Sequence, residues 1–195
     1  MDKNIADIIN TSKEIYDKGL VSGKSGNISA RFKKDGRDVV AITPTLTSLS
    51  DLRQKDIVLV DMKGNILTKG KPSSEVNMHL GIYKNRSDVN AIVHTHSPYA
   101  TGFAFSDKKL KRLEGFGEIK SPYIASIEYA KPGTDELASM ASEGIIGEDV
   151  LILKNQGVIC VADCLKEAKL LAVFVEETAK TQFVSLMLNS VEDQI

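Results

Sequence analysis

Only two cysteines and three histidines occur in the 195 residues of this chain, and no apolar run approaches the length of a membrane span. Crossing a bilayer as a helix takes about 20 consecutive apolar residues, so a helical integral membrane protein is excluded. Met1-Asp2-Lys3-Asn4 opens no secretory hydrophobic region, and the expected location is the cytoplasm. Cys160 and Cys164, with three residues between them, make neither a disulfide framework nor two pairs of zinc ligands. Both are expected to be buried, inert thiols. An excess of one charge is also missing. The 25 basic side chains face 26 acidic ones, a net charge of −1, so no basic field draws nucleic acid or an anionic membrane. What is present is an ordinary globular composition, 42% hydrophobic and 26% charged, long enough for one core and short for two. Residues 1–195 are therefore expected to form a single domain.

Apolar periodicity organises the chain. Ile5, Ile8, Ile9, Ile15 and Tyr16 recur at helical spacing up to Gly19, which predicts a helix over 3–18. After a loop at 22–27, short apolar runs predict strands at 28–32, 39–43 and 57–61, the last ending in the turn Lys63-Gly64-Asn65. The pattern turns helical over 73–85 and becomes a buried strand over 90–96. Ser97-Pro98 opens another helix, and 122–129 reads as extended. Thr134 caps a helix with Asp135 and Glu136 in its first turn, stopping near Gly144. Runs at 150–153 and 158–161 flank the polar turn Lys154-Asn155-Gln156-Gly157, a hairpin signal. From Leu165 through Ala168, Ala172, Val175, Ala179 and Phe183 to Leu186 a helical stripe reads as core.

Three groups of residues carry chemistry. His94-Thr95-His96 ends a strand, and residues two apart on a strand share a face, so two imidazoles can grip one metal ion. Gly70-Lys71-Pro72-Ser73-Ser74-Glu75 sets small hydroxyls at a helix start, where unpaired N–H groups and the dipole attract a phosphate; the plain alternative is an N-cap at Ser73 or Ser74. Glu75 is placed as a metal ligand or a proton-transfer base, or as an acid favoured by the dipole. His79, one turn on, reads as a packed histidine supporting the site rather than a ligand.

With Ser25-Gly26-Asn27-Ile28-Ser29, Ile42-Thr43-Pro44-Thr45, Lys71-Pro72-Ser73-Ser74-Glu75, His94-Thr95-His96, Gly133-Thr134 and Lys154-Asn155-Gln156-Gly157 in this order and spacing, nearly the whole chain resembles the class II aldolase and adducin-head family. The resemblance implies an α/β fold with a central, mainly antiparallel β-sheet flanked by helices. It also implies a homotetramer with active sites between subunits. It implies phosphate binding by Asn27, Thr45, Ser73 and Ser74, metal binding by His94 and His96, and Glu75 moving between ligand and catalytic base. The cofactor implied is a divalent metal, zinc, and the reaction is retro-aldol cleavage of a sugar phosphate, a ketose 1-phosphate, to dihydroxyacetone phosphate and an aldehyde.

The sequence departs from the family pattern at several positions. Gln156 stands where a third metal histidine is expected. An amide oxygen suits manganese or another oxygen-tolerant divalent ion better than zinc. Lys24 occupies a position often held by threonine, where it can contact phosphate or be a solvated loop lysine, and Leu46 follows Thr45 in place of glycine. No tyrosine follows Tyr129 to serve as the family's mobile C-terminal tyrosine. Glu114, with Glu118 as competitor, lies nearest the position of the acid or base supplied by a neighbouring subunit, the plain alternative being a surface carboxylate. Two other readings remain open, a ribulose-phosphate 4-epimerase-like enzyme and a non-catalytic, adducin-like phosphate-binding scaffold.

Overall fold

Seven strands form one sheet in the order β3-β2-β1-β4-β7-β6-β5, in a computed structural model that describes residues 3–115 and 121–192. The strands are β1 (Asn27–Lys34), β2 (Arg37–Ile42), β3 (Val58–Asp61), β4 (Ala91–Thr95), β5 (Ala125–Ile127), β6 (Val150–Leu153) and β7 (Gly157–Ala162). Every pairing is antiparallel except β5 with β6. The described α-helices are α1 (Lys3–Asp17), α2 (Val76–Asn85), α3 (Pro98–Ala104), α4 (Asp135–Gly144) and α5 (Leu165–Glu192). None is long and apolar enough to cross a membrane.

Most of the strands are apolar on both faces, because helices cover both. Val39 and Ala41, Ala91 and Val93, and Val158 and Cys160 join one core with Ile8 and Ile15 of α1, Phe103 of α3 and Ala168, Ala172 and Val175 of α5. Their alternates Val40 and Ile42, Ile92, and Ile159 and Val161 join a second core with Met78 and Ile82 of α2 and Leu137 and Ala141 of α4. The period-2 alternation thus divides one sheet between two helical layers.

Several expectations need correction. The helix expected from 73 begins at Val76, with Glu75 rather than either serine at the N-cap position. The cause is backbone pairing upstream: Thr45 N–H donates to the Lys71 carbonyl at 3.2 Å and Ser73 N–H to the Thr43 carbonyl at 3.0 Å, which holds 71–73 extended. The extended stretch at 122–129 contributes only Ala125–Ile127 to the sheet edge. The core stripe of α5 ends at Ala179, because the helix runs on past the sheet, leaving Phe183 and Leu186 exposed. Cys160 is buried, but Cys164, in the turn before α5, is exposed.

Candidate functional site

The site forms where the polar end of the sheet meets the start of α2. Register places Asn27 of β1 opposite His94 of β4, and Ser29 opposite Ile92, so Asn27, Ser29 and His94 share the face covered by α2. Along α2, Glu75, His79 and Tyr83 follow at four-residue steps and come down as one stripe. Arg31, next on the β1 stripe, closes the far end: its guanidinium donates to the carbonyls of Tyr83, Arg86, Ser87 and Val89 at 2.5–3.1 Å, quieting the negative end of the helix.

His94 is fully buried, and its Nδ1–H donates to the Val158 carbonyl at 3.0 Å. Nε2, on the other side of the ring, faces Nε2 of His96, 3.1 Å away. The His96 backbone leaves the ladder and donates to the Leu20 carbonyl at 3.2 Å, and the two rings meet edge to face, 4.8 Å between centroids. Burial, with the His94 ring adding to it, pushes His96 down to about 4.

Glu75 is 6% exposed. Its Oε2 accepts from Asn27 Nδ2 at 2.7 Å and its Oε1 from Gln156 Nε2 at 2.5 Å, and Oε2 lies 3.4 Å from His94 Nε2. Burial alone raises a carboxyl pKa, but His94 and the amide donors outweigh it and hold Glu75 below the usual carboxylate range. It is an ionised base at neutral pH.

Gln156 reaches this point because the hairpin expected from the sequence forms, with Asn155 in the left-handed region at φ 57°. The turn crosses β4 closely. A Cβ on Gly157 would lie 2.3 Å from the Thr95 carbonyl oxygen, so only glycine lets β7 approach β4 in this register.

A cavity of about 180 Å³ joins most of the expected residues: Lys24, Asn27, Thr45, Ser73, Ser74, Glu75, His96 and Gln156 all line it, and His94 lies behind them. Lys24 and Ser74 are exposed at its rim. Larger hollows elsewhere, such as one of about 520 Å³ around Arg86 and Asp149, share none of its lining residues. Leu46 stands at the mouth, 74% exposed, with φ 56°. Glu114 is exposed and outside the lining, and Glu118 lies outside the described residues.

Sequence reasoning missed Pro132, which lines the cavity, and the partners Ser29 and Tyr83 beneath it. The i, i+2 spacing of Asn27 and Ser29 and the i, i+4 spacing of His79 and Tyr83 were the available signals.

Among the described residues no three histidine, cysteine or acidic side chains already stand as a ligand shell, because both Glu75 oxygens are turned to amides. The donor set nonetheless fits a divalent cation. Two nitrogens held at about 2.0–2.1 Å by one tetrahedral ion lie roughly 3.3 Å apart, close to the 3.1 Å between the two Nε2 atoms.

Residues 6–183 match the family described as Class II Aldolase and Adducin N-terminal domain. The chain belongs to this family. It is 41% identical over 181 residues to the L-fuculose phosphate aldolase of Methanococcus maripaludis, covering 93% of this chain and 97% of that one. It is 33% identical over 184 residues to a 5-deoxy-D-ribulose 1-phosphate aldolase of Bacillus thuringiensis, covering 94% and 85%. Among solved structures, an L-fuculose 1-phosphate aldolase superposes with a TM-score of 0.88 at 30% identity, covering 96% of this chain and 88% of that one.

Proposed function

We propose that this class II aldolase family member is a divalent-metal-dependent lyase that cleaves a ketose 1-phosphate to dihydroxyacetone phosphate and an aldehyde. The observation that carries the reading is the meeting, at one small cavity, of a buried ionised carboxylate, an anion cradle and the lining imidazole of His96 with that of His94 behind it.

Asn27, Thr45, Ser73 and Ser74 hold the phosphate, with Lys24 at the rim neutralising its charge. Anchoring that end fixes the ketose so that the bond to be broken lies over Glu75. His94 and His96 hold the cation, with Gln156 able to add its amide oxygen, since its nitrogen is committed to Glu75. When bound, the cation supplies Lewis-acid stabilisation of the negative charge that develops on the substrate oxygens as the carbon–carbon bond breaks. In the condensing direction Glu75 removes a proton from the carbon beside the ketone; in the cleaving direction the proton that the substrate hydroxyl gives up as its carbon becomes the aldehyde passes through solvent to Glu75, which delivers it to that carbon. Zinc is the ion of the family pattern; Gln156 favours manganese or another oxygen-tolerant ion. Glu114, exposed and outside the lining, fits a part in the reaction only across a subunit interface, as in a homotetramer with shared sites. A mass measurement in solution tests that assembly.

The test of function has two arms. Protein loaded with zinc or manganese and dialysed should retain near one ion per chain by elemental analysis, and His94→Ala should lose it. Dihydroxyacetone phosphate should be released from L-fuculose 1-phosphate or 5-deoxyribulose 1-phosphate, and Glu75→Gln should cut that rate by about 10²–10⁴-fold. Undiminished release in both variants refutes the site. Phosphate binding with neither metal retention nor turnover supports the adducin-like scaffold instead, a reading that rests on Gln156 in place of a third imidazole.

A further inference from the structure

We infer that His79 is a positioning residue, the middle of a buried hydrogen-bond chain that fixes which end of the Asn27 amide faces Glu75. This inference deepens the aldolase reading and relies on it for its kinetic arm alone.

The chain's direction follows from its acceptor-only end. Ionised Glu75 has no hydrogen to give, so the Asn27 atom 2.7 Å from Oε2 must be the NH2 nitrogen. That turns Asn27 Oδ1 toward His79 Nε2, 2.5 Å away, so Nε2 carries the imidazole proton and donates it. Nδ1 is then the acceptor, and it takes the Ser29 hydroxyl hydrogen at 2.6 Å. Ser29 Oγ, having given its only hydrogen, accepts from the Tyr83 hydroxyl at 2.7 Å. Each group has one role and one partner on each side, and none can be reversed without placing two donors or two acceptors face to face.

The surroundings enforce the order. His79 and Ser29 are fully buried and Tyr83 is 1% exposed, so no water competes. Burial pushes His79 down to about 3 and raises the Tyr83 hydroxyl, which keeps both neutral. Asn27 is itself 5% exposed and lines the cavity. Its amide nitrogen has two hydrogens, one committed to Glu75 and the other available to an anion. Were the amide to flip, its oxygen would face both the Glu75 carboxylate and the bound phosphate. His79 prevents that flip without touching either, which separates its part from those of the ligands and the base.

A resonance readout tests the arrangement independently of turnover. In protein with ¹⁵N-labelled histidine, the His79 ring should report protonation at Nε2 alone, a pattern unchanged down to pH 5. A proton on His79 Nδ1 would overturn the inference whether or not any substrate is cleaved. The kinetic arm uses whichever ketose 1-phosphate the wild type turns over. His79→Leu removes the donor to Asn27 and should lower kcat/KM by about 10–100-fold, mainly in kcat, because the orientation of Glu75 is lost while the rest of the cradle remains. His79→Gln, which can keep an N–H near the Nε2 position, should recover most of the loss. Should His79→Leu fail to fold, Ser29→Ala serves in its place: the Nε2–H tautomer, set from the Glu75 end, should persist, while the loss of the donor to Nδ1 loosens the ring and lowers kcat. Equal loss in His79→Leu and His79→Gln, or a Ser29→Ala enzyme with wild-type kinetics, would reduce His79 to a packing residue and overturn the inference.

Discussion

Helix α3 starts directly after the two histidines of the candidate site, and its first turn is held by a carboxylate from another helix. Glu176 of α5 is 7% exposed; its Oε1 accepts from the Tyr99 N–H at 2.9 Å and its Oε2 from the Ala100 N–H at 2.8 Å. Ser97 at the N-cap position makes no side-chain cap of its own, and a helix of seven residues is too short to stand alone. Changing Glu176 to Gln keeps one acceptor and turns an NH2 toward the other N–H. One charge-assisted bond worth about 1.5–3 kcal/mol goes, together with the attraction of the charge for the helix N-terminus, about 0.3–1 kcal/mol. The loss is then about 2–4 kcal/mol, a fall in Tm of roughly 5–15 °C for a chain this long. Thermal and urea unfolding followed by circular dichroism measure it, with the exposed Glu177→Gln as control, expected to change stability by less than about 0.5 kcal/mol. Because His96 lies one residue before Ser97, metal retention should weaken as well. A Glu176→Gln protein as stable as the control would refute the cap.

Two further outcomes follow from the same geometry. His79 is held neutral down to about 3, whereas an unfolded histidine titrates near 6.5; between those values the unfolded state binds the extra proton, so stability falls as pH falls, by up to about 1.4 kcal/mol per pH unit. His96, at about 4, acts with the same sign. Urea midpoints in chelator at pH 7 and pH 5 should therefore drop more steeply in wild type than in His79→Gln, and parallel slopes would show that the burial of a neutral His79 contributes nothing. Gly157→Ala drives a methyl to 2.3 Å from the Thr95 carbonyl, so it should cost at least about 1–3 kcal/mol and displace the hairpin carrying Gln156. Thermal denaturation with metal analysis checks it, and a variant retaining both stability and metal would show that β7 can shift freely.

Periodicity made the elements legible because most strands are short apolar runs and most helices carry an apolar stripe, patterns that survive without tertiary knowledge. The hairpin at Gln156, the strand carrying His94 and the helix carrying His79 were all readable in this way. The start of α2 was not, since Ser73 and Ser74 have the chemistry of caps and only the pairing of 71–73 with 43–45, 26 to 30 residues away in sequence, shows why the helix waits until Val76. The exposed end of α5 was unreadable for the same reason. Its apolar spacing continues past Ala179, but where the sheet stops beneath it is a matter of topology.

Gln156 shows most clearly what the sequence alone withholds. As a residue type in the place of a histidine it reads as an oxygen donor, because oxygen is the only atom of an amide that binds a cation. In the folded chain the nearest charged group to that amide is Glu75, which can only accept, so the nitrogen end turns to it at 2.5 Å. Asn27 does the same from the other side. Glu75 is thereby clamped between two amides, ionised and aimed, where an imidazole at 156 with its lone pair toward a metal would have given it no hydrogen from that side. Replacing a ligand by a glutamine therefore need not mark the loss of chemistry. In the proposed mechanism it would move one contribution from holding the cation to holding the base, while the same side chain keeps an oxygen that would be free for the cation.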